Sequence, residues 1–167
     1  MSPKEVRVST NNNGVNPIPE GYDSVTPHLM VKNSVNAIEF YKKVFGATEE
    51  YRFTMPDDNT KIIHAVLRIG KNNSRIMLAD EFPGMCDSNL SDGGKIGSPK
   101  TVGGNSVFLN MYFENVDELF NKAQNEGGTV VVPLMDAFWG DRYGQLKDPF
   151  GHIWGVATHK KDIQKKR

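Results

Sequence analysis

Residues 31–47 read VKNSVNAIEFYKKVFGA, and this stretch decides the predicted fold. Its apolar side chains recur at three- and four-residue intervals, which places them in one stripe along a helix. The stripe consists of Ala37, Ile38, Tyr41, Val44 and Phe45. Asn33 or Ser34 can cap the start of this helix, and Gly46 ends it. The stretch therefore predicts an amphipathic helix that buries one face.

A second copy of this pattern follows later in the chain. Shifting the sequence by 82 residues aligns Asn33 with Asn115 and Gly46 with Gly128. In both copies a strand precedes the helix and another strand follows the glycine. Because each half is too small for a robust core of its own, the two halves should pack on each other or on a second chain.

Apolar runs and alternation predict the strands around the two helices. They cover residues 26–31, 51–55, 62–69 and 75–79 in the first half, and 106–113, 129–134, 145–147 and 153–158 in the second. In the first strand, Leu29 and Val31 point toward the helix, whereas His28 and Met30 point the other way. We expect the faces turned away from the helices to line a shared cavity. The glycine-rich residues 82–105 are predicted to form a long loop.

The 167 residues carry 20 Lys and Arg against 20 Asp and Glu, a formal net charge of +0. This balance removes the main reason to expect a nucleic-acid partner. No apolar run is long enough to cross a bilayer, and residues 1–16 contain no apolar signal core. The lone cysteine, Cys86, cannot form an intrachain disulfide and is expected to be inert. These features predict a cytoplasmic protein with no membrane partner.

The ends of the chain differ from its middle in composition. The polar N-terminus shows no sustained period and predicts a disordered arm over residues 1–20. Residues 21–160 are expected to form one domain made of two modules, at about 24–81 and 105–159. A basic tail at 161–167 follows.

Several motifs, in order along the chain, resemble one known family. Residues 31–47 and 115–128 resemble the two helices of the glyoxalase/bleomycin-resistance proteins, the vicinal-oxygen-chelate superfamily, and 148–152 resemble the Asp-Pro-x-Gly turn before its last strand. Residues 63–65, 77–80 and 138–142 are closer to its PhnB-like branch. The resemblance implies an α+β fold of paired βαβββ modules that form a half-open β-barrel, often completed as a homodimer. It implies little about the reaction, because this fold hosts many chemistries.

Enzymes of the family hold a divalent ion with His, Gln and Glu side chains. By resemblance, the four ligand positions fall here on Thr26, Met77, Phe108 and Gly155. None of these offers an imidazole or a carboxylate, and a first-row ion needs about three or four such donors. We therefore expect no metal at the standard site and no cofactor.

The candidate ligand-binding residues lie on the predicted cavity-facing strand positions and in the aromatic segment 138–144. They are His28, Met30, His64, Met77, Phe108, Asn110, Tyr112, Trp139 and Arg142. Three interpretations of His28 and its counterpart Asn110 stay open. His28 could belong to a displaced metal site with His64 and Asp80 or Glu81. Alternatively, His28 and Asn110 could hydrogen-bond across the module interface, or orient a polar group of a ligand.

Four further residues allow narrower expectations. Arg142 could bind a carboxylate or phosphate, or it could pair with Asp141 or a helix end. Arg68 shares the cavity-facing parity and could pair with Asp80 or Glu81, or bind an anion. Asp148 begins a turn in which its side chain accepts from the following backbone N–H groups. His159 is placed at a frayed end.

Three functions follow from these observations. The first is binding of a small apolar or aromatic molecule without metal, as the resemblance to drug-sequestering members implies. The second is an enzyme (a lyase, isomerase, epimerase or dioxygenase) that uses a displaced metal or a metal-free base, with His28 and His64 as catalytic candidates. The third is a structural or partner-binding dimer with an empty core.

Overall fold

The computed structural model describes residues 14–22, 24–72, 74–82 and 96–162. Parts of three expected segments lie outside these residues: 1–13 of the arm, 83–95 of the long loop with Cys86, and 163–167 of the tail. Among the described residues, none of the helices combines the length and apolar character needed to span a membrane.

The first module is a four-stranded sheet with one helix. Its elements are β1 (His28–Val31), α1 (Ser34–Phe45), β2 (Thr48–Met55), β3 (Asp58–Ile69) and β4 (Ser74–Asp80). The strands are ordered β1-β4-β3-β2, with β1 parallel to β4 and the other neighbours antiparallel.

The second module repeats this arrangement after the short helix α2 (Pro99–Val102). Its elements are β5 (Leu109–Tyr112), α3 (Val116–Asn125), β6 (Thr129–Asp136), β7 (Asp141–Lys147) and β8 (Ile153–His159). The strand order is β5-β8-β7-β6, the equivalent of the first sheet, and β5 is parallel to β8. The predicted α+β fold of paired βαβββ modules is therefore confirmed. The two sheets stay separate and do not close into a barrel.

Both long helices begin where the sequence predicts, and α1 also ends at the predicted residue. The Asn33 side chain accepts from the backbone N–H of Asn36 at 3.1 Å, and Gly46 ends α1 with a φ of 67°. The Asn115 side chain caps α3 by accepting from the Glu118 N–H at 3.2 Å. Because such caps use only neighbouring residues, they can be recognised from sequence.

The turn between β6 and β7 is shorter than expected. The Ala137 N–H donates to the Asp141 carbonyl at 2.7 Å, and the Gly140 N–H donates to the Ala137 carbonyl at 3.0 Å. Strand β7 therefore starts at Asp141, four residues before the predicted strand at 145–147, and only residues 137–140 turn. The positive φ of Gly140, 98°, makes this tight turn possible.

The helix-facing sides of both sheets share one hydrophobic core within the chain. Helix α1 lies against α3 and against Trp154 of β8, whose ring centroid is 5.4 Å from that of Tyr41 and 4.8 Å from that of Phe45. The two modules therefore bury their helix-facing sides against each other. The opposite sides of the sheets face outward in the single chain.

Asp148 connects the two modules inside this core. Its Oδ2 accepts from the Tyr41 hydroxyl at 2.8 Å and from the Trp154 indole at 2.9 Å. Its Oδ1 accepts from the backbone N–H groups of Phe150 and His152, both at 2.9 Å. The predicted turn is thus present, and the same carboxylate also holds α1 of the other module. Because the acceptor is charged and buried, these hydrogen bonds are stronger than neutral ones.

Candidate functional site

The side of the first sheet that points away from α1 carries aromatic, imidazole and thioether groups. We call it the first open face and define it by His28, Met30, Tyr51, Phe53, His64 and Met77. The ring centroids of His28 and His64 lie 5.7 Å apart, and the Tyr51 ring lies 6.0 Å from His64. This face holds all four candidates that the sequence places in the first module.

A β-bulge in β2 adds a charged group to this face. Glu49 is opposite Leu67 and Tyr51 is opposite Val66, which makes Glu50 an additional residue in β2. Glu49 points toward α1, where its carboxylate lies 2.8 Å from the Lys42 ammonium. Glu50 and Tyr51 both point to the open face. The alternation in the sequence did not reveal this bulge.

Burial lowers the pKa of His28, and the neighbouring His64 ring lowers it further. The His28 imidazole is therefore neutral at pH 7, so one ring nitrogen can donate and the other can accept. A groove of ≈ 440 Å³ opens beside His28 and Met30, and Leu109 and His152 of the second module border it. His28 is thus accessible to a ligand from this side.

Tyr22, which sequence analysis did not select, lies against the first open face. Its hydroxyl is 3.2 Å from the Tyr51 hydroxyl, and the Arg75 guanidinium stacks over its ring at 4.7 Å. Arg75 also donates to the Gly21 carbonyl. A Cβ at Gly21 would collide with the Arg75 guanidinium. A glycine with φ of 76° directly before the tyrosine therefore allows this close approach.

In the second module a cavity opens on the side of the sheet that points away from α3. We call it the second pocket; its volume is ≈ 480 Å³, and its lining residues are Phe108, Asn110, Met111, Tyr112, Trp139, Asp141, Tyr143, Gln145 and Ala157. The Trp139 and Tyr143 rings form part of the wall, with centroids 5.5 Å apart. All the second-module candidates except Arg142 line this pocket.

A buried carboxylate fixes the aromatic wall of the second pocket. Asp141 Oδ2 accepts from the Tyr112 hydroxyl at 2.9 Å and from the Trp139 indole at 3.0 Å, and Oδ1 bonds His159 Nδ1 at 2.7 Å. Burial alone would raise the pKa of Asp141, but these three hydrogen bonds outweigh it and lower the pKa. The ionised carboxylate therefore orients three rings. The expectation of a frayed His159 is wrong, because β8 continues through it.

Polar groups in the second pocket occupy the space above Gly155. A Cβ at this glycine would collide with Asn110 Oδ1 and lie 3.0 Å from the Tyr143 hydroxyl. That hydroxyl accepts from the Gln145 amide at 2.7 Å, so its own proton can be donated to an acceptor on a ligand. The pocket thus combines aromatic walls with amide and phenol groups.

These residues do not fit the metal site of the family. The space at Gly155 is taken by Asn110 and Tyr143, and Met77 offers only a thioether. Within the described ranges, no three His, Cys, Asp or Glu side chains come together in a way that could hold an ion.

The displaced metal site is not formed by the residues considered for it. The Asp80 carboxylate is buried on the helix-facing side, where it accepts from the backbone N–H groups of Ser34 at 3.0 Å and Ile62 at 2.8 Å. Glu81 accepts from the Ser98 N–H at 2.8 Å, at the start of α2. Neither carboxylate joins His28 and His64. We therefore derive no reaction step through a metal.

Arg142 is separated from the other candidates. It shares its parity with Gly144 and Leu146 on the helix-facing side of β7, and its Nη2 pairs with Asp117 of α3 at 2.9 Å. The alternative in which Arg142 pairs with a helix end is the one observed. The remaining candidates form two groups, one on each module, and the lining of the second pocket comes from residues 108–157 alone.

Comparison with known proteins gives consistent matches. A sequence model of the Glyoxalase/Bleomycin resistance protein/Dioxygenase superfamily matches residues 21–156. An uncharacterized protein from Mycobacterium bovis is 42% identical over 140 residues, which cover 84% of this chain and 86% of that protein.

Solved structures share the fold at low sequence identity. Protein PA1353 from Pseudomonas aeruginosa has a TM-score of 0.62 and 24% identity, covering 82% of this chain and 98% of that one. The PhnB protein from Bacillus cereus has a TM-score of 0.61 and 19% identity, covering 81% and 99%.

Proposed function

Because the chain belongs to the Glyoxalase/Bleomycin resistance protein/Dioxygenase superfamily, we propose that it binds a small aromatic molecule without a metal. The binding cavity forms in a homodimer, between the first open face of one copy and the second pocket of the other. The observation that carries this proposal is the pair of aromatic sheet faces, one on each module, where the family positions for metal ligands hold no imidazole and no carboxylate.

The exposure of these faces supports the pairing of two copies. Phe53 on the first open face and Tyr112 at the second pocket are each 61% exposed in the single chain. Large apolar side chains clustered on one exposed face mark binding surfaces. A second copy would cover both faces at once, because a two-fold dimer uses the same pair of surfaces twice.

The polar groups of the second pocket support an aromatic ligand with a hydrogen-bond acceptor. Asp141 fixes Tyr112 and Trp139 through hydrogen bonds, so the walls are rigid before a ligand arrives. Tyr143, held by Gln145, supplies a donor. Aromatic walls with a few fixed polar groups are typical of small-molecule sites.

Binding of N-phenyl-1-naphthylamine, a neutral probe that fluoresces in apolar sites, tests this proposal. We expect the wild type to bind the probe with a saturable rise in fluorescence and a higher melting temperature, because a ligand of the native state stabilises it. Asn110→Trp should fill the second pocket and abolish binding. Asn121→Trp, on the exposed side of α3, is the control and should bind as the wild type does. Absence of saturable binding to the wild type would contradict the proposal.

A second candidate function rests on the neutral imidazole of His28. A neutral imidazole beside an aromatic cavity can act as a general base without a metal. Deuterium exchange of the methyl protons of 2-acetylnaphthalene, followed by NMR, tests this activity. Faster exchange with the wild type than with His28→Gln, at equal probe binding, would favour an enzyme.

A further inference from the structure

Two arginines share a single carboxylate at one end of the first open face. Arg68 of β3 and Arg75 of β4 are directly opposite each other in the sheet. The Glu50 carboxylate takes two hydrogen bonds from Arg75, from Nε at 2.7 Å and from Nη2 at 2.8 Å. Arg68 Nε lies 3.3 Å from Glu50 Oε1. Like charges directly opposite in a sheet repel, and one carboxylate neutralises only one of them.

The guanidinium of Arg75 is fully engaged by neighbouring groups, whereas that of Arg68 is not. Besides Glu50, Arg75 bonds the Gly21 carbonyl and stacks over the Tyr22 ring. Within the described part of the chain, Arg68 has the ion pair with Glu50 and no hydrogen bond from its Nε. Its side chain is 42% exposed. The guanidinium of Arg68 is thus the group that remains available for an anion.

Arg68 is continuous with the aromatic surface that the proposed ligand would contact. It lies two residues from Val66, which is directly opposite Tyr51 in β2. The ring centroid of Tyr51 lies 6.0 Å from that of His64, and the ring centroid of His64 lies 5.7 Å from that of His28. A flat molecule on these rings would therefore reach the guanidinium with a substituent at one end.

We propose that the ligand is an aromatic acid, whose ring lies on the first open face and whose acidic group pairs with Arg68. This inference rests on the proposed function and deepens it, since it names the class of ligand. The planar guanidinium matches carboxylate and sulfonate groups with two parallel hydrogen bonds, and such charge-assisted bonds are about twice as strong as neutral ones.

Two fluorescent probes that differ by one acidic group test this inference. They are 8-anilinonaphthalene-1-sulfonate and N-phenyl-1-naphthylamine, which share a ring framework. We expect the wild type to bind the sulfonate about tenfold more tightly than the neutral probe. Arg68→Met should abolish this preference and leave the affinity for the neutral probe unchanged. Arg68→Lys, which keeps the charge but not the planar fork, should retain part of it.

Arg52→Met is the matched control. Arg52 lies opposite Ala65 on the helix-facing side of the same sheet and pairs with Glu49, so it should not change the affinity for either probe. If the wild type binds both probes equally, or if Arg68→Met weakens both equally, the inference is overturned while the proposed function stands. If the wild type binds neither probe, the proposed function itself fails.

Discussion

At the scale of single residues, Asp148 shows how one carboxylate joins two modules that are distant in sequence. It accepts from Tyr41 of the first module and from Trp154 of the second, as well as from two backbone N–H groups of its own turn. Burial and the nearby carboxylate raise the pKa of Tyr41 well above its usual value. Tyr41 therefore stays protonated and keeps donating.

Asp148→Asn should lower the free energy of unfolding by about 3 kcal/mol, because an amide nitrogen would face N–H or O–H donors that it cannot accept from. Tyr41→Phe removes one donor and should cost about 1 kcal/mol. Urea denaturation followed by tryptophan fluorescence measures both. Asp57→Asn, in an exposed turn, is the control. A loss for Asp148→Asn no larger than that of the control would show that the carboxylate is not a structural link.

His159 predicts a dependence of stability on pH. Hydrogen bonds to Asp141 and Asp162 raise its pKa in the folded state, so the protonated imidazole stabilises the fold. This contribution is complete below the unfolded pKa of about 6.5 and is lost as the pH rises through the raised folded value. The difference in melting temperature between the wild type and His159→Gln should therefore be largest near pH 6 and shrink toward pH 9.

His28 provides a control of opposite sign. Its pKa is lowered in the folded state, so its contribution is present above about pH 6.5 and is lost as the pH falls through the folded value. The melting temperature of the wild type relative to that of His28→Gln should therefore decrease as the pH is lowered. If both melting-temperature differences changed in the same direction with pH, the environments assigned to His159 and His28 would be contradicted.

At the scale of elements, the helices could be predicted from sequence more completely than the strands. Helix α1 depends on its own apolar spacing, on Asn33 and on Gly46, all of which are local. The start of β7 depends instead on Asp141, whose carboxylate bonds His159 at the end of β8. No local pattern reports such a contact, which is why the strand is longer than the prediction.

The residues of the candidate site also divide into those that local sequence patterns place correctly and those that depend on tertiary contacts. The faces of His28, His64 and Asn110 follow from alternation, and the structure places them accordingly. Arg142 was selected from its aromatic neighbours, although its parity with Leu146 already indicated the helix-facing side. Tyr22 has no periodic neighbours, so only its contacts with Tyr51 and Arg75 identify it.

Two glycines before β1, Gly14 and Gly21, should differ in how much an alanine substitution destabilises the fold. Gly21→Ala places a methyl group against the Arg75 guanidinium and should lower the free energy of unfolding by about 1–2 kcal/mol. Gly14 also has a positive φ, but no atom lies within 4 Å of its Cβ position, so Gly14→Ala should cost less. Urea denaturation compares the two variants. Equal losses would mean that the contact with Arg75 does not hold the segment.

At the scale of the whole molecule, the outward sheet faces predict association of two copies. Phe53→Asp introduces a charge on the edge strand β2 of the first open face and should convert the proposed dimer to a monomer, because an unpaired charge is costly to bury. Sedimentation velocity measures the change in mass. Ile18→Asp, at a similarly exposed apolar residue outside the sheets, is the control and should remain dimeric. A wild type that sediments as a monomer would refute the dimer.

The division of the candidate residues between two modules has a genetic consequence. In the proposed two-fold dimer, each cavity has one wall from each of the two subunits. Substitutions in different walls, carried by different subunits, should therefore complement each other. Consider a hybrid dimer of one Arg68→Met subunit and one Asn110→Trp subunit. One of its two cavities would contain both substitutions, and the other would contain neither. Neither variant alone would keep the tighter binding of the sulfonate, whereas co-expression would restore it in one of the two cavities of each hybrid dimer. A site contained in one polypeptide does not produce this pattern.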